Sequence, residues 1–160
     1  MTSIPPWVIV RSMDVISIII SAAKTVGVSG TLLVAICSHE SNNFTNNYSA
    51  FDKGSPSFGS CQIKEASARQ LGFKGNSSDL NNPKINAFYA AKYLKYQQDR
   101  YGEEDWCPLV AAYNSGTYLK SKYPGYPRNL KYVRLVQRRL PDDFKDRLSC
   151  GNGEIARNGE

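Results

Sequence analysis

A mainly helical single domain with one short β-ribbon is the fold class this chain predicts, and three observations predict it. Apolar residues recur at helical spacing in several separate stretches. Residues 44–59 turn polar and Gly/Ser-rich, so a short ribbon beside a helix belongs there. A chain of 160 residues that is 41% hydrophobic can bury one core, and no linker or low-complexity run is long enough to split it. The expected division is an N-terminal arm over residues 1–14, a domain over 15–140 and a C-terminal tail over 141–160, loosest from Gly151-Asn152-Gly153 onward.

Residues 15–23 (VISIIISAA) lie between Asp14 and Lys24. They are too few for a bilayer crossing, which takes about 20 apolar residues. Arg11 before the run and Ala22-Ala23 at its end imitate a signal peptide, but Asp14 and the missing Ala-x-Ala site oppose one, so the run is expected as the first core helix. The next apolar stretch, Leu32-Leu33-Val34-Ala35-Ile36-Cys37, can be capped by Ser29 or Thr31 and ends at Glu40. Asn82-Pro83 starts a further helix, with a capping side chain followed by proline at the first helical position. Ile85, Phe88, Tyr89, Lys92, Tyr93 and Tyr96 keep its spacing, while Ala87, Ala90, Ala91 and Leu94 form a small-residue stripe. Asp105 can cap a buried helix through Tyr113 that tolerates Pro108 in its first turn. Leu130, Val133, Val136 or Gln137, and Leu140 give the last apolar stripe.

Glu40 is the residue most able to do chemistry. On a helix it shares a face with Ile36 and Leu33, so its carboxyl emerges where the helix meets the core. Partial desolvation there is expected to raise its pKa toward the range of a proton donor. A solvated carboxylate at a helix end is the plain alternative.

Motifs C-terminal to Glu40 favour the acid. The pair Glu40-Ser41, the turn Ser57-Phe58-Gly59-Ser60-Cys61-Gln62-Ile63, the Ala-x-x-Tyr-Leu run over residues 90–94, the segment Ala111-Ala112-Tyr113-Asn114-Ser115-Gly116 and the late Tyr132-Val133 stand in this order. Together they resemble the soluble lytic transglycosylases, a group related to goose-type lysozyme, over roughly residues 15–140. The resemblance implies a lysozyme-like α+β fold, in which a helix and a Gly-Val turn, here Gly27-Val28, precede the helix carrying the acid. It also implies a peptidoglycan lytic transglycosylase that cleaves the β-1,4 bond between N-acetylmuramic acid and N-acetylglucosamine. Glu40 would protonate the leaving oxygen and then, as a carboxylate, accept the proton of the muramic-acid C6 hydroxyl, leaving a 1,6-anhydro end.

The remaining roles come by the same resemblance. Gln62 would line the cleft opposite the acid and bond the acetamido group, Ser57 matches the serine two places before the turn glycine, and Gly59 would let the backbone pass close to the sugar. Tyr113 and Asn114 offer a phenol and an amide to the substrate, and Tyr132 can hydrogen-bond the catalytic carboxyl. Ser41 is expected to support the helix end, and His39, about 100° from Glu40 around the helix, to lie at the surface or behind the site. Asp52 keeps a second reading open. A goose-type lysozyme would use such an aspartate to activate water across a gap of roughly 6.5–9.5 Å. A virion or tail component that retains the fold only to bind glycan is a third, opposed by Glu40, Gln62 and Asn114.

Cysteine, charge and partners bound the rest. Cys37, Cys61, Cys107 and Cys150 contain no Cys-x-x-Cys pair and no histidine at zinc-ligand spacing, so no metal and no cofactor is expected. Cys37 and Cys61 read as small core residues, while a Cys107–Cys150 disulfide would tie down the C-terminal segment but sits poorly with cytoplasmic synthesis. With no clear export signal, an enzyme of the cell wall or periplasm is expected to be phage-encoded, made in the host cytoplasm, and to act at entry or lysis, with other virion or tail proteins as partners.

The net charge is +6, and residues 117–160 hold ten Lys or Arg against five Asp or Glu. A basic face suits the carboxylates of peptidoglycan stem peptides. Nucleic acid is disfavoured, because no binding-module signature accompanies the charge. Replacing Lys131, Arg134, Arg138 and Arg139 with Gln is expected to weaken binding to purified sacculi, as is raising salt on the parent protein. Binding indifferent to both treatments would make these four residues only a solvated helix face.

Overall fold

The computed structural model describes residues 6–45, 51–52 and 55–151, with side chains from Asp14 onward outside residues 46–54. The chain divides into two compact units, Met1–Tyr93 and Leu94–Glu160, with the boundary inside one helix.

In the first unit, α1 (Pro6–Val26) and α2 (Gly30–Glu40) pack on each other through a turn at Gly27. The apolar run lies in the C-terminal half of a longer helix, which begins well before residue 15. Ile19 and Ala23 are buried on its inner side, and Ile20 remains exposed. Among the described residues no helix is long and apolar enough to cross a membrane. Of the two candidate caps for α2, Ser29 makes the bond, its Oγ accepting from the Leu32 amide at 3.2 Å.

Three short antiparallel strands come next, in the order β1 (Phe51–Asp52), β2 (Ser55–Phe58) and β3 (Ile63–Lys64). Phe51 faces Pro56 across the first pair, and Ser57 faces Lys64 across the second. Two strands occupy the expected stretch. The third lies beyond Gly59, because the turn at residues 59–62 folds the chain back on β2. α3 (Glu65–Gln70) and a 3-10 helix (Ser77–Asn81) close a small apolar cluster of Phe58, Ile63, Ala68, Phe73 and Leu80. α4 (Pro83–Tyr101) starts as its sequence predicts, with Asn82 Oδ1 accepting from the Lys84 amide at 3.0 Å.

In the second unit, Asp105 caps α5 (Trp106–Ser115), its carboxylate accepting from the Cys107 amide at 2.9 Å. α6 (Leu130–Gln137) buries Val133 and Val136. The chain beyond it is ordered through a 3-10 helix (Asp142–Leu148), although residues 141 onward read as a tail. Packing and hydrogen bonds hold this segment. Phe144 stacks on Trp106 at 6.1 Å, Leu148 is buried, and the Gln137 amide donates to the carbonyls of Lys145 and Leu148. Gln137 thus serves as a stitch where the stripe pattern allowed an apolar position. Residues 152–160 lie outside the described residues.

Two of the cysteines depart from expectation. Cys37 and Cys61 are not separate core residues but a disulfide, and Cys107 pairs with Cys150. Both members of the first pair are fully buried, which is why their sequence surroundings look like those of small apolar residues. The loops closed span 24 and 43 residues, so chain-entropy arguments give each bond about 3–4 kcal/mol of stability. Replacing either pair by alanine is expected to lower the unfolding free energy by that order in denaturant titration. A midpoint unchanged without Cys37 and Cys61 would show that the bond constrains nothing.

Candidate active site

Glu40 is the last residue of α2 and half-buried. The helix ends there for a visible reason. Ser41 is completely buried, and its hydroxyl donates to the Cys37 carbonyl at 2.8 Å while accepting from the Phe44 amide at 3.1 Å. The next three residues, Asn42, Asn43 and Phe44, have φ of 49°, 58° and 63°. Asparagine tolerates this left-handed region, whereas Phe44 is strained in it. The Asn43 amide donates back to the Ser38 carbonyl at 2.8 Å, which locks the reversal. Ser41 therefore supports the helix end, as expected. His39, beside Glu40, is half-buried.

The turn carrying Gln62 is built by two glycine-like conformations. Gly59 has φ of 70° and Gln62 has φ of 49°, and both the backbone and the side-chain amide of Gln62 donate to the Gly59 carbonyl, at 3.2 and 2.8 Å. One donor of the Gln62 carboxamide is thus used inside the turn. A β-carbon at Gly59 would overlap the Asn86 carboxamide. Close approach to α4 by itself requires glycine at this position. Ser57 is half-buried on β2, and Asp52 lies on β1 opposite Ser55, its side chain outside the described residues.

Asn86 is a residue that the sequence did not flag. It is 1% exposed, accepts from the Cys61 amide at 3.0 Å, and donates to the carbonyls of Phe58 and Leu80 at 2.6 and 2.9 Å. The one available signal was a polar residue between Ile85 and Ala87 near the start of an otherwise well-packed helix.

The Cys37–Cys61 bond joins these two pieces. Its Cα atoms are 4.1 Å apart; adding one helical turn from Cys37 to Glu40 and one residue from Cys61 to Gln62 keeps the Glu40 and Gln62 Cα atoms within about 13 Å.

In the second unit, Tyr113 is buried near the end of α5, Asn114 is exposed, and Gly116 ends the helix with φ of 81°. Gln97, fully buried on α4, donates to the Ala112 and Gly116 carbonyls at 3.3 Å each, and Arg100 donates to Gly116 at 2.9 Å. These two residues hold the helix end and were not anticipated. The Asn114 Oδ1 accepts from Asn129 Nδ2 at 3.0 Å. Tyr132 is half-buried on α6. Burial, and then the charge of Asp105, push the Tyr118 phenol above its ordinary value. Lys131, Arg134 and Arg138 are exposed and Arg139 is half-buried. Among the described residues no group of His, Cys, Asp or Glu could hold a metal.

A mainly helical chain with a small antiparallel sheet tethered to the helix that ends in Glu40 has the architecture of the lysozyme-like class. It belongs to the transglycosylase SLT domain family, which it matches over residues 17–135. No curated protein matches it. Among solved structures it is similar to an X-ray structure of an inactive mutant of the lytic transglycosylase Slt from Pseudomonas aeruginosa, with 18% identity and a TM-score of 0.53. The match covers 82% of this chain and 22% of that one, so the chain spans about a fifth of that protein's length and shares its fold over that part.

The Gly59–Asn86 contact makes a direct prediction. Gly59→Ala strains a left-handed residue and displaces a carboxamide that satisfies three buried backbone groups, so it is expected to cost about 2–3 kcal/mol in denaturant unfolding. Asn86→Ala in the same chain should then add less than it costs alone, since both act through one contact. An unchanged midpoint for Gly59→Ala would refute the account of this turn.

Proposed function

We propose that this chain is a peptidoglycan lytic transglycosylase with Glu40 as its single catalytic carboxyl. The observation that carries the proposal is the covalent link between the helix ending in Glu40 and the turn bearing Gln62, inside the stretch that matches the transglycosylase family. The solved lytic transglycosylase of like fold supports it further.

In the reaction, Glu40 donates its proton to the glycosidic oxygen as the C1–O4 bond breaks, and the C6 hydroxyl of the same muramic acid attacks C1. The hydroxyl proton goes to the Glu40 carboxylate, which restores the acid. The bond lost is replaced by an internal one, and no water is consumed. The substrate's 2-acetamido group stabilises the cationic carbon, leaving the protein to orient the sugar and exclude water. By resemblance to the family, Ser57, Gly59, Gln62, Tyr113, Asn114 and Tyr132 are assigned to substrate binding.

Glu40→Gln keeps the shape of the side chain but cannot protonate the leaving oxygen. It is expected to abolish cleavage of purified sacculi with folding and sacculus binding retained; near-normal lysis would remove Glu40 from its role. Mass spectrometry of the digest is expected to find muropeptides lighter by one water than reducing ends.

Asp52→Asn separates this route from hydrolysis. If the substrate's own hydroxyl attacks, the substitution should change the rate little, whereas removal of a water-activating base costs about 10²-fold or more. A collapse in rate in a folded protein, with reducing products, would assign the chain to hydrolysis.

A further inference from the structure

Asn129 stands at the N-cap of α6 and makes no side-chain capping bond. This is unusual use of a good capping residue, whose oxygen ordinarily accepts from an amide in the first helical turn. Here the carboxamide points at α5 instead. Its Nδ2 donates to the Ala111 carbonyl and to the Asn114 Oδ1, both at 3.0 Å, while its own Oδ1 is buried and accepts nothing from the protein. A residue that forgoes its cap and leaves a buried acceptor unsatisfied destabilises the fold locally, and such a group calls for an explanation.

The bonding pattern settles which way both amides face. The Ala111 carbonyl can only accept, so the atom of Asn129 against it must be the nitrogen. That nitrogen has a second hydrogen, and the atom of Asn114 receiving it must be an acceptor. The Asn114 oxygen is therefore taken by the protein, on a side chain that is exposed.

We propose that Asn129 is a positioning residue, which holds the Asn114 carboxamide with its oxygen on the protein and its NH2 toward the substrate, so that this position recruits a carbonyl oxygen of the glycan strand. The acceptor offered by such a strand beside the scissile bond is the acetamido C=O. This rests on Asn114 being a substrate-binding residue of the proposed transglycosylase, and adds the polarity of the contact and the residue that sets it. Without Asn129, the Asn114 amide can turn over and meet that carbonyl with its own oxygen, exchanging attraction for repulsion.

The test uses glycan strands of defined length, with kcat and KM measured separately and thermal melting as the folding control. Asn114→Asp keeps an acceptor for Asn129 and removes the outward N–H groups, so kcat/KM should fall at least about tenfold, mainly through KM, with melting unchanged. Asn114→Ala should fall by a similar factor. Asn129→Asp removes the donor that orients Asn114 and should raise KM comparably, Asn129→Ser should recover part of that loss through its hydroxyl donor, and Asn129→Asp should add little to Asn114→Ala.

If Asn114→Ala leaves KM unchanged, Asn114 does not bind substrate, and both its substrate-binding role and the positioning role of Asn129 fall. If Asn114→Ala is impaired but Asn114→Asp is near the parent, the oxygen faces the substrate and the orientation proposed here is wrong while Asn114 keeps its substrate-binding role. Full additivity of the substitutions at positions 114 and 129 would equally overturn the positioning role.

Discussion

The disulfide between Cys37 and Cys61 is the constraint on which the first unit's site depends. It is fully buried, and it ends one helical turn before Glu40 on one side and one residue before Gln62 on the other. Cys37 lies in the last turn of α2, and Cys61 in the turn between β2 and β3. The three left-handed residues after Ser41 and the left-handed Gln62 are conformations that an unrestrained chain would leave. A covalent tie between them restricts the unfolded chain and limits how far apart the two segments can lie.

Buried carboxamides do comparable work in each unit. Asn86 satisfies one backbone donor and two backbone acceptors around the Gly59 turn, and Gln97 holds the carbonyl end of α5 just past Asn114. An amide suits this task because it both donates and accepts without charge, so it can be buried at far lower cost than a carboxylate or an ammonium. The parts of the chain nearest the proposed chemistry are thereby made rigid by buried groups rather than by exposed ones. In the second unit, the Trp106–Phe144 stack, the Arg147 guanidinium 4.4 Å above the Trp106 ring and the Cys107–Cys150 bond anchor a segment with little apolar surface of its own.

Cystines also bear on where such a protein is stable. Two disulfide bonds in a chain of 160 residues are at home in an oxidising compartment, which agrees with the proposed action on the cell wall.

By itself the sequence determined four of the helices, the candidate caps of three of them and the identity of the chemical groups. Ser29, Asn82 and Asp105 cap where local hydrogen-bonding rules place them, and the apolar spacing locates α2, α4, α5 and α6 because a helix is a local structure whose periodicity is written in consecutive residues. The ordered motifs from Glu40 to Tyr132 were legible for the same reason, being short and contiguous. Only the tertiary structure decided the cystine pairing, the third strand beyond Gly59, the identity of Asn86 as the group that fills the space above that glycine, and the partnership of Asn129 with Asn114. Each of these joins residues separated by 15 to 43 positions or depends on a fold-back that sets their approach. Such contacts leave no periodicity in the chain, since a buried asparagine and a surface one are the same letter until a second segment arrives to claim its hydrogen bonds.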